Sequence, residues 1–186
     1  NIAWYIAPVI NAMTRVGSFE ERELMFKAFI GEYDEFPYKK RSGEIIQENI
    51  YERAARLAKN AKSRQDNIKK KIIKEVSSQI NPEDKVILIT SESEESGLLG
   101  LAAMSIADSY QRPTILVKHR TVDGKDVLNG SIRNFDNSPI DDFQKFIDEN
   151  KIIKDLNSNI FINEKSALKK ALSRFLGEWF LHLFYK

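Results

Sequence analysis

Residues 130–134, Gly-Ser-Ile-Arg-Asn, bring a glycine, a hydroxyl and a guanidinium into one short segment. A glycine lets another group approach the backbone closely. The Ser131 hydroxyl and the five fixed donors of Arg133 are the groups a phosphate needs. Phosphate binding by Gly130, Ser131 and Arg133 is the chemistry this segment could do, and the plain alternative is an ordinary strand end. A second candidate pair is Asn11 and Arg15, which follow Pro8 and precede Gly17. Both are expected in irregular backbone, where binding residues concentrate. The structural alternative is that Arg15 caps carbonyls or pairs with Glu20 or Glu21.

The net charge of +2 is unevenly distributed. Residues 39–74 carry twelve Lys/Arg against four Asp/Glu, so the rest of the chain is acidic. A basic stretch on an acidic chain is an electrostatic footprint for a polyanion, or else a solvated helix face. Lys62, Arg64, Lys69 and Lys70 are the candidates for supporting contacts to a strand, since the basic residues are spread too widely to share one face. Metal chemistry has little to work with. There are no cysteines, and the two histidines are His119, at a strand end between Lys118 and Arg120, and His182, in an apolar tail. No metal site and no bound cofactor are therefore expected in this chain.

The elements that must position these groups follow from periodicity. Ile2 to Ala7 reads as an apolar strand or loop stopped by Pro8, and Ser18 with Glu20 and Glu21 reads as a helix start. That helix runs to about Gly31, and residues 31–44 read as a loop. Ile45 to Ile80 reads as one long helix, with apolar residues near the helical period and no glycine or proline until Pro82. Lys85–Thr90 and Thr114–Lys118 read as strands flanking an alanine-rich helix from Gly97 to Tyr110, which implies a parallel pair. Asp123-Gly124 reads as a hairpin turn into a third strand, Asp126 to Arg133. Ser138-Pro139 opens a further helix to Glu149, and residues 164–185 suit a helix with a broad apolar face containing Trp179. No apolar run approaches the ~20 residues needed to span a bilayer, and the absence of cysteine suits a cytoplasmic location. Asn1 leading straight into an apolar run is how an internal fragment begins.

In this order the segments resemble the C-terminal half of the DHH/DHHA1 phosphoesterases, in particular the RecJ-like single-stranded-DNA-specific exonucleases. Pro8, Ile10, Asn11, Ala12 and Arg15 match the segment that ends the family's catalytic domain, with Thr14 in place of its usual glycine. Asn60, Arg64 and Gln65 match an element of its connecting helix with one residue inserted. Gly97, Gly100, Ala103, Tyr110, Arg112 and Pro113 fit the DHHA1 helix and the strand entry after it, and Gly130, Ser131 and Arg133 fit its Gly-Ser-x-Arg segment. The family's Asp-His-His string is absent, as is a Gly-Gly-His-type segment after Glu149.

The resemblance implies an α/β fold: a small mixed-sheet DHHA1-like domain preceded by a long connecting helix, with a C-terminal apolar helix. It implies an end of a catalytic-domain-like region over 1–44, a basic connecting helix over 45–80, the DHHA1-like domain over 81–149 and a divergent tail over 150–186. It further implies that Ser131 and Arg133 grip a phosphate of single-stranded DNA, with Asn11 and Arg15 beside the cleft. Hydrolysis would use Mn2+ or Mg2+ held by a DHH domain that this chain lacks, so the chain alone would be inactive. That domain, or another protein, is the expected partner of the apolar tail helix, and no membrane is expected. The alternatives are a non-catalytic interaction or oligomerisation module, and part of a small-nucleotide or oligonucleotide phosphodiesterase.

Overall fold

The computed structural model describes residues 2–122, 125–138 and 145. The expected helices over 139–149, residue 145 apart, and 164–185, the Asp123-Gly124 turn and His182 lie outside them. The chain divides into two compact units, the first ending at Ile68 and the second beginning at Lys69.

The first unit opens with helices α1 (Ile2–Tyr5), α2 (Ala7–Val16) and α3 (Phe19–Phe29). This corrects the strand or loop expected before Gly17. Pro8 lies in the first turn of α2, where its missing N–H has no helical partner to lose, so it starts the helix instead of stopping the chain. Gly17 caps α2 in extended backbone, and only glycine fits there because a Cβ would sit 2.4 Å from the Met13 carbonyl oxygen. The helix start at Ser18 holds: its hydroxyl accepts from the Glu21 amide at 3.2 Å and its own amide donates to the Glu21 carboxylate at 2.9 Å. Those two bonds form a capping box.

Residues 31–44 are not all loop, and the long helix does not begin at Ile45. Strands β1 (Glu35–Lys39) and β2 (Ile45–Asn49) pair antiparallel, and α4 covers Ile50–Val76. Between the strands the Gly43 amide donates to the Lys40 carbonyl at 3.0 Å, and the Lys40 amide to the Glu44 carbonyl at 2.8 Å. Gly43 closes this turn at φ +89°, a conformation that glycine adopts without strain. Asn49 and Glu52 then cap the start of α4 reciprocally, at 2.9 and 3.0 Å. The unit's core is Met13 of α2 against Ala58 and Ala61 of α4, with Val9, Val16, Met25 and Leu57 packed around them.

In the second unit β3 (Ile87–Thr90), β4 (Thr114–Val122) and β5 (Lys125–Arg133) form a sheet in the order β3-β4-β5. The β3–β4 pair is parallel and the β4–β5 pair antiparallel, as the expected mixed sheet requires. Helix α5 (Leu99–Tyr110) makes the crossover and buries Leu99, Ala102, Ala103, Ile106 and Ala107. The alanines let it lie close to the central strand, whose Ile115, Leu116 and Val117 are fully buried. Two side chains near the end of α4 hold the edge strand β3. The Gln79 carboxamide bonds both the carbonyl and the amide of Thr90, at 2.8 and 3.1 Å. The Glu75 carboxylate takes the Ser91 hydroxyl at 3.1 Å and the Glu92 amide at 2.7 Å. Edge groups that would otherwise invite pairing are thereby partnered.

Candidate phosphate site

Alternation along β5 puts Ser131 and Arg133 on one face of the sheet, with Leu116 and Thr114 as their partners on β4. Gly100, in the first turn of α5, lies over both. A Cβ at Gly100 would stand 2.8 Å from Arg133 Nη2 and 3.1 Å from Ser131 Oγ. The guanidinium is partly buried and its Nη1 donates to the Ile132 carbonyl at 2.7 Å, which fixes the fork while Nη2 faces the helix start. No side chain caps α5. A hydroxyl, a guanidinium and the positive end of a helix therefore converge, an arrangement suited to an anion.

Gly130 supplies closeness of another kind. Its Cα is pressed against β4 so tightly that a Cβ would meet the Leu116 carbonyl oxygen at 2.1 Å and the Val117 Cα at 2.6 Å. Sequence reading found Gly130, Ser131 and Arg133, and matched Gly100 only as one of two helix glycines. Gly97 has nothing within 4 Å of the position its Cβ would take, so spacing alone could not separate them. Lys118 is a further cation on the face that carries Ser131, and its ammonium donates to the Ser93 carbonyl at 2.8 Å. It was missed because the run Thr114–Lys118 reads as a strand whatever its last residue does.

Gly100→Ala separates fold from site. Alanine is favoured over glycine in a helix by roughly 0.5–1 kcal/mol. The atoms it would meet are the ends of side chains, which can swing away. We expect unchanged or slightly raised thermal stability together with weakened oligonucleotide binding, measured by melting and by fluorescence anisotropy on the same sample.

The other candidates lie elsewhere. Asn11 and Arg15 sit one turn apart on the exposed side of α2, in the first unit, and not in irregular backbone as expected. Lys62 pairs with Asp66 at 2.6 Å. Arg64 gives its guanidinium to Glu21 of the capping box and to the Val16 carbonyl, so it ties α4 to the α2–α3 junction. Gln65, beside it, is buried with its carbonyl oxygen unpartnered. Lys69 is half-buried and Lys70 exposed, both in the second unit. Among the described residues no three His, Cys, Asp or Glu side chains cluster as a metal site would need, and His119 is exposed on β4. Among them, too, no helix is long and apolar enough to cross a membrane.

No protein-family profile matches the chain. It is 36% identical over 151 residues to a Bacillus subtilis strain 168 protein named as the SPbeta prophage-derived single-strand DNA-specific exonuclease YorK. The counterpart in Bacillus phage SPbeta matches equally. In both cases the match takes in 78% of this chain and 26% of the relative. Among solved structures, RecJ from Thermus thermophilus in complex with Mg2+ is similar over 95% of this chain and 26% of its own, with a TM-score of 0.56 and 18% identity. An exonuclease RecJ bound to manganese is similar over 95% of this chain and 40% of its own, with a TM-score of 0.54 and 18% identity. The chain is thus similar in sequence to proteins named as a single-strand DNA-specific exonuclease and similar in fold to part of RecJ, and it spans about a quarter of the length of the curated relatives it matches.

Proposed function

We propose that this chain is the strand-gripping part of a RecJ-like single-stranded DNA exonuclease. A phosphate is held at the first turn of α5 by Ser131 and Arg133, with Gly100 leaving room for it. The convergence of Arg133 Nη2 and Ser131 Oγ on Gly100 is the observation that carries this reading. Arginine binds phosphate through two charge-assisted hydrogen bonds, and serine adds one. The exposed Asn11 and Arg15, and Lys69 and Lys70 of α4, which form no ion pair among the described residues, would add contacts to the strand. The described residues offer no metal cluster, so their work in this proposal is to bind and orient the strand. Metal-dependent hydrolysis falls to a DHH-type domain on other residues.

Binding of a fluorescent oligothymidylate at several salt concentrations tests the proposal. A charge-assisted hydrogen bond is worth about 1.5–3 kcal/mol, so Arg133→Ala should weaken binding at least about tenfold. It should also flatten the salt dependence by roughly the 0.7 expected for one phosphate of a single strand. Unchanged affinity in Arg133→Ala would sink the reading.

A second reading, a protein-docking surface, is favoured by one observation in the first unit. An apolar groove of about 330 Å³ runs between Ile6, Val9, Ile10, Met25, Phe29 and Tyr51. Trp4 and Tyr5 beside it are three-quarters exposed. Concentration-dependent sedimentation that Trp4→Ala abolishes would support it.

A further inference from the structure

We propose that the hairpin β1–β2 is a second nucleic-acid contact, an arm whose tip residues Lys39, Lys40 and Arg41 hold the phosphodiester backbone. The inference rests on the reading of the chain as a single-strand binder, and it concerns residues that reading leaves unused.

Alternation divides the hairpin into two faces. Phe36, Tyr38, Ile46 and Glu48 point inward and are half-buried or buried, whereas Glu35, Pro37, Lys39, Ile45 and Gln47 point outward and are exposed. The inward face is clamped on α4. Arg56 stacks over the Tyr38 ring at 4.1 Å and Arg53 over the Phe36 ring at 4.6 Å. Arg56 also forks onto Glu48, at 2.6 and 2.7 Å. A two-stranded hairpin is marginal by itself. This one is held by two cation–π contacts and a bidentate ion pair, which makes its tip a fixed projection.

The tip carries a net positive charge. Lys39, Lys40 and Arg41 are consecutive and exposed, against the single carboxylate of Glu44, which pairs with Lys40 at 3.0 Å. Glu44 offsets only Lys40, so the turn keeps a net positive charge that a row of phosphates would neutralise. The outward Ile45, opposite Lys39 in the register, is two-thirds exposed and offers an apolar surface to an unstacked base. The same turn explains why the basic stretch of the sequence begins at Lys39, before α4 has started.

The test uses the whole 186-residue chain and a fluorescent oligothymidylate. Lys39→Gln/Lys40→Gln/Arg41→Gln should weaken binding roughly tenfold and lower the salt slope by about 1.4–2, the 0.7 per phosphate of a single strand taken over two or three contacts. A charge-matched variant on α3 and just before β3, Arg22→Gln/Lys27→Gln/Lys85→Gln, should change both much less. Because the chain has no cysteine, Ser42→Cys gives a single attachment point for an environment-sensitive dye at the tip, and its emission should change on adding the strand. Equal losses in the two triple variants, a silent dye, or displacement of the strand by polyglutamate at matched charge would each overturn the inference. If the hairpin variant binds like the parent while Arg133→Ala does not, the arm is refuted and the phosphate site stands. If the hairpin variant weakens and Arg133→Ala does not, the phosphate site is refuted and the arm stands. A parent chain that binds no strand refutes both.

Discussion

Gly130→Ala should destabilise the second unit by about 3 kcal/mol, the upper part of the range for overpacking a well-filled site. The added methyl would stand 2.1 Å from the Leu116 carbonyl oxygen and 2.6 Å from the Val117 Cα, and both belong to the backbone of fully buried residues of the central strand. A clash with the end of a side chain is relieved by a rotamer change. Here relief requires β5 to separate from β4, which breaks ladder hydrogen bonds around the Gly130–Val117 pair. Ser131 and Arg133 follow directly, so the displacement moves them off Gly100 and phosphate binding should fall as well. Amide hydrogen exchange should accelerate in β4 and β5 while the Met13–Ala58–Ala61 core keeps its protection. Gly97→Ala is the control. Nothing lies within 4 Å of its added methyl and its φ is not positive, so its stability should match the parent. A Gly130→Ala chain as stable as Gly97→Ala would show that β5 tolerates a side chain there and that the glycine is not a packing requirement.

The contrast between these glycines marks where sequence reading stops. Local chemistry was legible. Ser18 with Glu20 and Glu21 announced a helix start, the apolar runs at 85–90 and 114–118 announced strands, and the alanines between them announced the crossover helix. The errors came where two periods fit the same residues. Ile45, Ile46 and Ile50 suit a helix face, but Ile45 and Ile46 alternate on a strand whose partner, β1, contains Pro37 and reads as loop by itself. Pro8 misled in the opposite way, because a proline that opens a helix and one that stops a strand look alike. For the candidate site, residue types were enough to single out Ser131 and Arg133 as a pair suited to an anion. The helix turn that confronts them lies some thirty residues upstream in the chain, and only packing reveals it. Arg64 shows the converse, since its charge reads as a phosphate contact and its geometry spends it on Glu21.

Glu48→Gln should cost about 2–3 kcal/mol at neutral pH, and the loss should disappear in acid. Removing one partner of a buried ion pair costs about 3–5 kcal/mol, chiefly because the other charge is left desolvated. The figure is smaller here because Arg56 keeps 27% of its side chain exposed while Glu48 keeps 7%. The hydrogen bonds from Arg56 hold the Glu48 carboxyl below the ordinary glutamate range; burial opposes them, and the charges of Arg56 and Arg53 add to them. A carboxyl whose pKa falls on folding stabilises the fold at every pH above its unfolded value of about 4.3. That contribution is lost as pH drops from there through the lower folded value. Denaturant unfolding from pH 7 down to pH 2 should therefore show the parent converging on Glu48→Gln in the acid limb. Parallel curves would mean that Glu48 has the same affinity for a proton in both states. The stacking of Arg56 on the Tyr38 ring does not need the Glu48 carboxylate, so it should hold part of the hairpin against α4 even in acid. Removing both ring contacts with Phe36→Ala/Tyr38→Ala should release the hairpin at neutral pH as well. The tip cations would then be tethered but no longer aimed, and strand binding should weaken without any change in net charge.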